Sequence, residues 1–127
     1  HGRLALILGQ AGNRDDEDVR ALADVAADAR PDRVWLKDIG GEYLRGRPRG
    51  EIAAVLFAAL RARGMAAEAL PVCLDEAEAS REALAWARAG DTLVLPVHEL
   101  SARATVVALL DRLRGDGWQP GQHLPEP

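Results

Sequence analysis

Hydrophobic and polar positions along the chain fall into blocks that predict four strands, each followed by a helix. Short apolar runs of roughly four to eight residues are typical of strands buried on both faces of a sheet. The four runs of this kind are 3–9, 32–38, 69–74 and 91–98. Longer segments with apolar residues at helical spacing predict helices over 15–29, 51–64, 75–90 and 99–115. Pro71 weakens the third strand, because proline has no N–H to donate to a neighbouring strand.

Residues at the predicted helix ends support this assignment. Four consecutive acids, 15–18, stand at the start of the first helix, where they complement the positive end of the helix dipole. Asp75 is placed as the N-cap of the third helix. Gly64 and Gly90 follow the second and third helices, as expected of C-terminal stop signals.

Regular alternation of strand and helix predicts an α/β fold with a mostly parallel sheet and right-handed crossovers. We expect a single domain over 1–127, built as a three-layer α/β/α Rossmann-like sandwich, with 116–127 as an irregular tail. The expected strand order is 3-2-1-4, with helices on both faces. Ligands of such sheets bind beyond the carboxyl ends of the strands, where the strand order reverses, which here is between the first and fourth strands.

Composition narrows the class of protein. The chain has 127 residues and a net charge of −4, and its pI of about 5.3 disfavours nucleic acid or an anionic membrane as a partner. No run of about 18 apolar residues is present, and no signal-peptide pattern is found. The single cysteine, Cys73, lies in an apolar run and cannot form an internal disulfide, which fits a reducing, cytoplasmic compartment. We interpret it as a core residue and not as a nucleophile.

Two loops carry the basic residues that we consider for anion binding. The first, "GQAGNR" at 9–14, holds Asn13 and Arg14 at the mouth of the first strand. It matches neither G-x-G-x-x-G nor the Walker A pattern, although an arginine beside a helix N-terminus is able to bind phosphate or carboxylate. The second, "RGRPRG" at 45–50, holds Arg45 and Arg47. The first loop is also compatible with a plain tight turn in which Arg14 pairs with Asp15 or Asp16, and the second with a solvated loop that precedes a helix.

Further polar residues end two of the predicted strands. Lys37 and Asp38 end the second strand, and His98 and Glu99 follow the fourth. Since the carboxyl ends of parallel strands meet at one edge, we expect the side chains of Lys37, Asp38 and His98 to share a cleft with the two basic loops. A lone His–Glu pair does not predict a metal site, because further ligands at suitable spacing are missing.

Two segments together resemble the C-terminal domain of the Mur ligase family, and most closely that of cyanophycin synthetases. The segments are "GNRDDEDVRALADVAAD" and "DRVWLKDIGGEYLRGRPRGEIAAVL". The family has a G-D-R-R-D-E-D-I-R-like motif in the first and an R-G-R-x-x-G-E motif in the second. "DEAEASREALAWARAGDTLVLPV" extends the resemblance to about residue 97. Two departures stand out: Asn13 replaces the aspartate of G-D-R, and Asp15 replaces its second arginine.

The resemblance implies a domain of an ATP-dependent acid–amino acid ligase. In that family ATP converts a carboxylate into an acyl phosphate, and an amine then attacks to form an amide. ATP and Mg²⁺ belong to a central ATPase domain, and the C-terminal domain closes over it and helps to hold the incoming amino acid and the phosphates. The implied contacts are Asn13, Arg14, Lys37, Asp38, Arg45, Arg47 and His98. The expected partners are therefore that central domain and an amino acid.

The family's central P-loop domain and its D-Y-A-H-N-P-like motif are absent from the sequence, which begins at His1. We therefore expect the chain to be a piece of a longer enzyme, inactive in isolation and without a cofactor of its own. Two alternatives from other classes stay open. One is a free-standing Rossmann-like binding module for an anionic or phosphorylated small molecule. The other is an interaction domain whose arginine loop docks an acidic partner.

Overall fold

A computed structural model describes residues 2–39 and 41–127 of the chain. Its three strands are β1 (Leu4–Leu8), β2 (Arg33–Leu36) and β3 (Thr92–Val94). Its four α-helices are α1 (Asp16–Asp28), α2 (Glu51–Ala62), α3 (Glu76–Trp86) and α4 (Leu100–Gly115). Two short 3-10 turns lie at Gly41–Leu44 and Ala67–Ala69. None of the described helices is long and apolar enough to cross a membrane.

The strands form one parallel sheet in the order β2-β1-β3. In the centre of β1, Leu6 pairs with Val34 of β2 on one side and with Val94 of β3 on the other. The predicted α/β class and its mostly parallel sheet are thus confirmed. Because β1 is central and the chain reaches β3 only after α3, the strand order reverses between β1 and β3.

The expected third strand, 69–74, is reduced to one bridge between Val72 and Leu36 of β2, so the prediction of four strands is wrong. The Leu36 N–H donates to the Pro71 carbonyl at 2.8 Å, and the Cys73 N–H donates to the Leu36 carbonyl at 2.9 Å. The next bridge toward the start of β2 would need an N–H on Pro71, which has none. The segment still lies beyond β2, as the order 3-2-1-4 requires.

Side chains alternate across the sheet and give it two apolar cores. On one face, Leu8, Val34 and Leu36 pack with buried residues of α1 and α2. On the other face, Ala5 and Ile7 pack with buried residues of α3 and α4. Helices therefore cover both faces, as expected of a three-layer α/β/α sandwich.

Helix ends follow the sequence signals, with one exception. Asp15 caps α1 by accepting the Asp18 N–H at 2.8 Å, and Asp75 caps α3 by accepting the Glu78 N–H at the same distance. However, α3 ends at Trp86 and not next to Gly90. The Asp91 carboxylate accepts the backbone N–H of Arg88 at 2.8 Å, so residues 88–91 form a separate turn in which Gly90 has a φ of 91°.

The final segment, 116–127, contains neither a helix nor a strand, but it lies against the domain. Leu124 is buried in a small apolar cluster with Leu84 of α3 and Leu113 of α4. The Pro125 carbonyl accepts a hydrogen bond from Arg81, which fixes the segment to α3.

Candidate functional site

The first two loops at the carboxyl edge of the sheet are in direct contact. The Gly12 N–H donates to the Tyr43 carbonyl at 2.7 Å. A Cβ atom on residue 12 would lie only 1.7 Å from the Leu44 carbonyl oxygen, so only glycine fits at this position. The loop "GQAGNR" is therefore shaped by close backbone packing against the 41–44 turn.

Lys37, at the end of β2, has no exposed surface. Its Nζ donates to Glu76 Oε2 at 2.7 Å and lies 3.4 Å from His98 Nδ1. His98 follows β3, so the lysine side chain crosses the end of the central strand. Gly9 makes room for it, because a Cβ at residue 9 would lie 3.0 Å from Lys37 Cγ and 2.5 Å from the Lys37 carbonyl oxygen.

Glu76, the first residue of α3, is the buried residue that connects Lys37 to the backbone before α4. Its Oε2 accepts from the His98 N–H at 2.8 Å in addition to Lys37, and its Oε1 accepts from the Glu99 N–H at 2.9 Å. Burial opposes ionisation of Glu76, but the hydrogen bonds from Lys37, Glu99 and His98 outweigh it and hold its pKa below the usual value. Burial lowers the pKa of Lys37, although its bond to Glu76 favours the charged form.

Sequence reasoning missed Glu76 as a site residue and treated it only as part of a helix start. A signal was present, because Lys37 is the only lysine in the chain and ends an apolar strand. A buried ammonium group needs a carboxylate partner, and the first turn of a helix at the same edge of the sheet is where one is available.

Asp38 presents the most unusual atom of the site. The residue is 2% exposed, and its Oδ2 accepts the Gly50 N–H at 2.7 Å, which fixes the start of α2. Its Oδ1 is buried and has no hydrogen-bond partner among the described residues. Because buried polar atoms are almost always hydrogen-bonded, we expect this oxygen to accept from a water or from a bound molecule.

Asp38 borders a cleft of about 130 Å³ between the 44–49 loop, the start of α3 and the start of α4. Arg49 contributes the cleft's one cationic side chain, and Asp75, Glu76 and Glu99 contribute carboxylates. The remaining lining residues are Leu44, Leu74 and Ala102. The cleft is thus predominantly acidic, with one guanidinium on its wall.

Arg47 is held by the protein itself. Its Nε donates to the Gly12 carbonyl at 3.0 Å, and its Nη1 donates to Asp16 at 2.8 Å and to Glu51 at 2.9 Å. Its Nη2 donates to the carbonyl of Arg14. The bond to Asp16, at the start of α1, is the main cause that raises the pKa of Arg47. The Arg47 side chain therefore links the first loop to the starts of α1 and α2 through hydrogen bonds.

The other predicted site residues are spread along the edge. Asn13 and Arg14 are exposed, and Arg14 borders a separate open groove along α1. Arg45 is exposed in a left-handed conformation, with its guanidinium 6.0 Å from the Tyr43 ring centre. The structure brings together Lys37 and His98, whose side chain is half exposed. Lys37 is buried and Arg47 is bonded within the domain, so neither adds a free cation to the exposed Arg14 and Arg45.

The side chains of the described residues give no support for a metal-binding site. Within residues 2–39 and 41–127, no group of three or more histidine, cysteine, aspartate or glutamate side chains is arranged to hold a metal ion. The sequence also has no Walker A motif for nucleotide phosphates. The described residues therefore offer no group of ligands for a Mg²⁺–ATP site.

Comparison with known proteins finds no match, either among protein-family models or among curated proteins. The class that the structure itself defines is a Rossmann-like α/β/α domain with a parallel sheet and an acidic cleft at its carboxyl edge.

Proposed function

We propose that this chain is a C-terminal domain of a Mur-type, ATP-dependent amide ligase, and that its cleft holds the incoming amino acid. The observation that carries the proposal is the buried, unpaired Oδ1 of Asp38 in the same cleft as Arg49. An amino acid offers an ammonium group and a carboxylate, which are the complementary partners of these two side chains.

The chemistry of the cleft fits both ends of such a substrate. The ammonium group donates to Asp38 Oδ1, which gains the hydrogen bond that it otherwise lacks. The guanidinium of Arg49 is able to bind the substrate carboxylate through two parallel hydrogen bonds. Asp75 and Glu99 add negative potential, which favours an ammonium ion over an anion at the inner end of the cleft.

The buried ion pair between Lys37 and Glu76 holds one side of the cleft in place. Glu76 joins Lys37 of the second strand to the backbone before α4, and Glu76 itself lines the cleft. Because three donors hold the Glu76 carboxylate, this side of the cleft is rigid enough to orient a substrate amine, which is how a positioning domain contributes to rate.

The reaction that follows requires a second domain. There ATP would convert the first substrate's carboxylate into an acyl phosphate. The ammonium group would first give up one proton to become a nucleophilic amine. As its nitrogen forms the amide C–N bond, the carbon–oxygen bond to phosphate would break, and the nitrogen would lose a second proton; both protons would pass to the released phosphate and to solvent. We expect Arg14 and His98, which have exposed side chains at this edge, to face such a domain when it closes.

An NMR titration with glycine, the smallest molecule that carries both charged groups, tests this proposal. We expect the backbone amide signals of Asp38, Arg49 and Glu99 to shift with a dissociation constant on the order of 1–10 mM. Asp38→Asn should remove the shifts. Glu68→Gln, which changes an exposed acid outside the cleft, is the matched control and should retain them. Equal shifts in Asp38→Asn, or none in the unsubstituted chain, would contradict the proposal.

Titration with ATP separates this proposal from the anion-binding module. The chain lacks a P-loop, and its cleft is mainly acidic, so we expect ATP to bind weakly or not at all. A micromolar dissociation constant by calorimetry would favour the binding module instead.

A further inference from the structure

Helix α4 carries apolar side chains on a face that the domain leaves in solvent. Of its 16 residues, only Val106 and Leu113 are buried. Leu100, Val107 and Leu110 are 71%, 50% and 39% exposed. Isolated exposed apolar residues are normal, but these three lie on one side of the helix at helical spacing.

We propose that this side of α4 is a homodimer interface, in which two copies of the helix pack antiparallel about a two-fold axis at Val107. The α4 face is defined here as Leu100, Arg103, Val107, Leu110, Asp111 and Arg114. An amphipathic face that one copy leaves in water is buried when the same face of a second copy covers it.

The charge pattern of the α4 face favours a second copy of this chain as the partner that covers it. In an antiparallel pair centred on Val107, each residue faces the one at the same distance on the other side of the centre. Arg103 then meets Asp111 of the partner subunit. Because of the two-fold axis, the dimer contains two copies of this ion pair. Leu100 meets the aliphatic stem of Arg114 of the partner subunit. A parallel pair would place Arg103 against Arg103 of the partner subunit, which is repulsive.

The charged groups of the α4 face are available for such contacts. Among the residues that the structure describes, the side chains of Asp111 and Arg114 make no hydrogen bond or ion pair. Arg103 uses Nε and Nη2 on the Val97 carbonyl, at 3.2 and 3.1 Å, and keeps further donors on its guanidinium. Pairing across the two-fold axis therefore breaks no interaction within the domain.

Sedimentation equilibrium over a range of concentrations tests the dimer. One helix face buries less than the roughly 800 Å² per partner of a standard interface, so a weak dimer in the micromolar range is expected. The mass should rise from the 13.6 kDa monomer toward twice that value. Val107→Glu should hold the chain at the monomer mass. Val25→Glu is the matched control, since Val25 is 69% exposed on α1, and it should behave like the unsubstituted chain.

A charge exchange tests the pairing geometry. Asp111→Arg alone should weaken the dimer at least tenfold, and mixing it with an equal amount of Arg103→Asp should restore association as a heterodimer. Circular dichroism establishes that each variant is folded. A monomer at every concentration overturns the proposal, as do equal effects of Val107→Glu and Val25→Glu. Absence of heterodimer rescue overturns the antiparallel register.

Discussion

Replacement of Lys37 by methionine should destabilise the domain strongly, because it breaks a buried ion pair from one side. Methionine has nearly the shape of the lysine stem, so the change removes the ammonium group with little loss of packing. Glu76, with a side chain only 2% exposed, then keeps its charge but loses its closest donor, at 2.7 Å. Leaving one partner of such a pair uncompensated costs about 3–5 kcal/mol.

The structure places the expected loss near the lower end of that range. Glu76 retains the backbone N–H groups of His98 and Glu99, at 2.8 and 2.9 Å, and these still solvate its carboxylate. We therefore expect the free energy of unfolding to fall by about 3 kcal/mol. Urea unfolding measures this directly, since with a slope of roughly 1–3 kcal/mol/M the midpoint should fall by at least about 1 M.

Two comparisons make the result interpretable. Arg20→Met removes an exposed cation that lies 3.9 Å from Asp16, and it should cost about 0–1 kcal/mol. The double variant Lys37→Met/Glu76→Gln should recover part of the loss, because no uncompensated charge is left. A Lys37→Met variant as stable as Arg20→Met would refute the burial argument, and a double variant less stable than Lys37→Met would refute the role of the charge.

Three further predictions concern other parts of the domain. The hydrogen bond from Arg3 is the main cause that holds the pKa of Asp91 well below its ordinary value of 3.8. The ionised carboxylate therefore stabilises the fold above that pH, and this contribution is lost on acidification. Asp91→Asn should therefore flatten the fall in stability below about pH 4, measured by urea unfolding at a series of pH values. Burial, with the neighbouring Glu82, raises the pKa of the Cys73 thiol to about 12, so its alkylation by iodoacetamide at pH 7.5 should be much slower than that of free cysteine. Gly9→Ala should unfold at a lower temperature than the unsubstituted chain, because the new methyl group meets the Lys37 carbonyl oxygen; an unchanged melting temperature would show that the loop adjusts freely.

The sequence was sufficient to predict the elements and their layers because the relevant signals are local. The apolar runs, the acids at the start of the first helix and the cap Asp75 each act within a few residues, and the structure confirms Asp75 as a cap. Pro71 predicts a weakened third strand, but in the structure its effect is larger, since a single bridge remains. How many bridges survive depends on which N–H groups face β2, and that register is a property of the folded sheet.

The site was less predictable because its contacts join residues far apart in the chain. Lys37 and Glu76 are 39 positions apart, and nothing in either segment alone indicates that they meet. Arg47 shows the reverse case. From sequence alone an arginine in a loop looks available for anion binding, but in the fold Arg47 pairs with Asp16 and Glu51. Asp38 combines a sequence expectation with an unpaired atom on a residue that lines a cleft.

A crystal structure of this chain soaked with an amino acid would test the central claim most directly. The account predicts the substrate nitrogen about 2.9 Å from Asp38 Oδ1, with the substrate carboxylate on Arg49. An amino acid bound elsewhere, or a cleft in which Asp38 Oδ1 is satisfied by water alone at saturating amino acid, would contradict it.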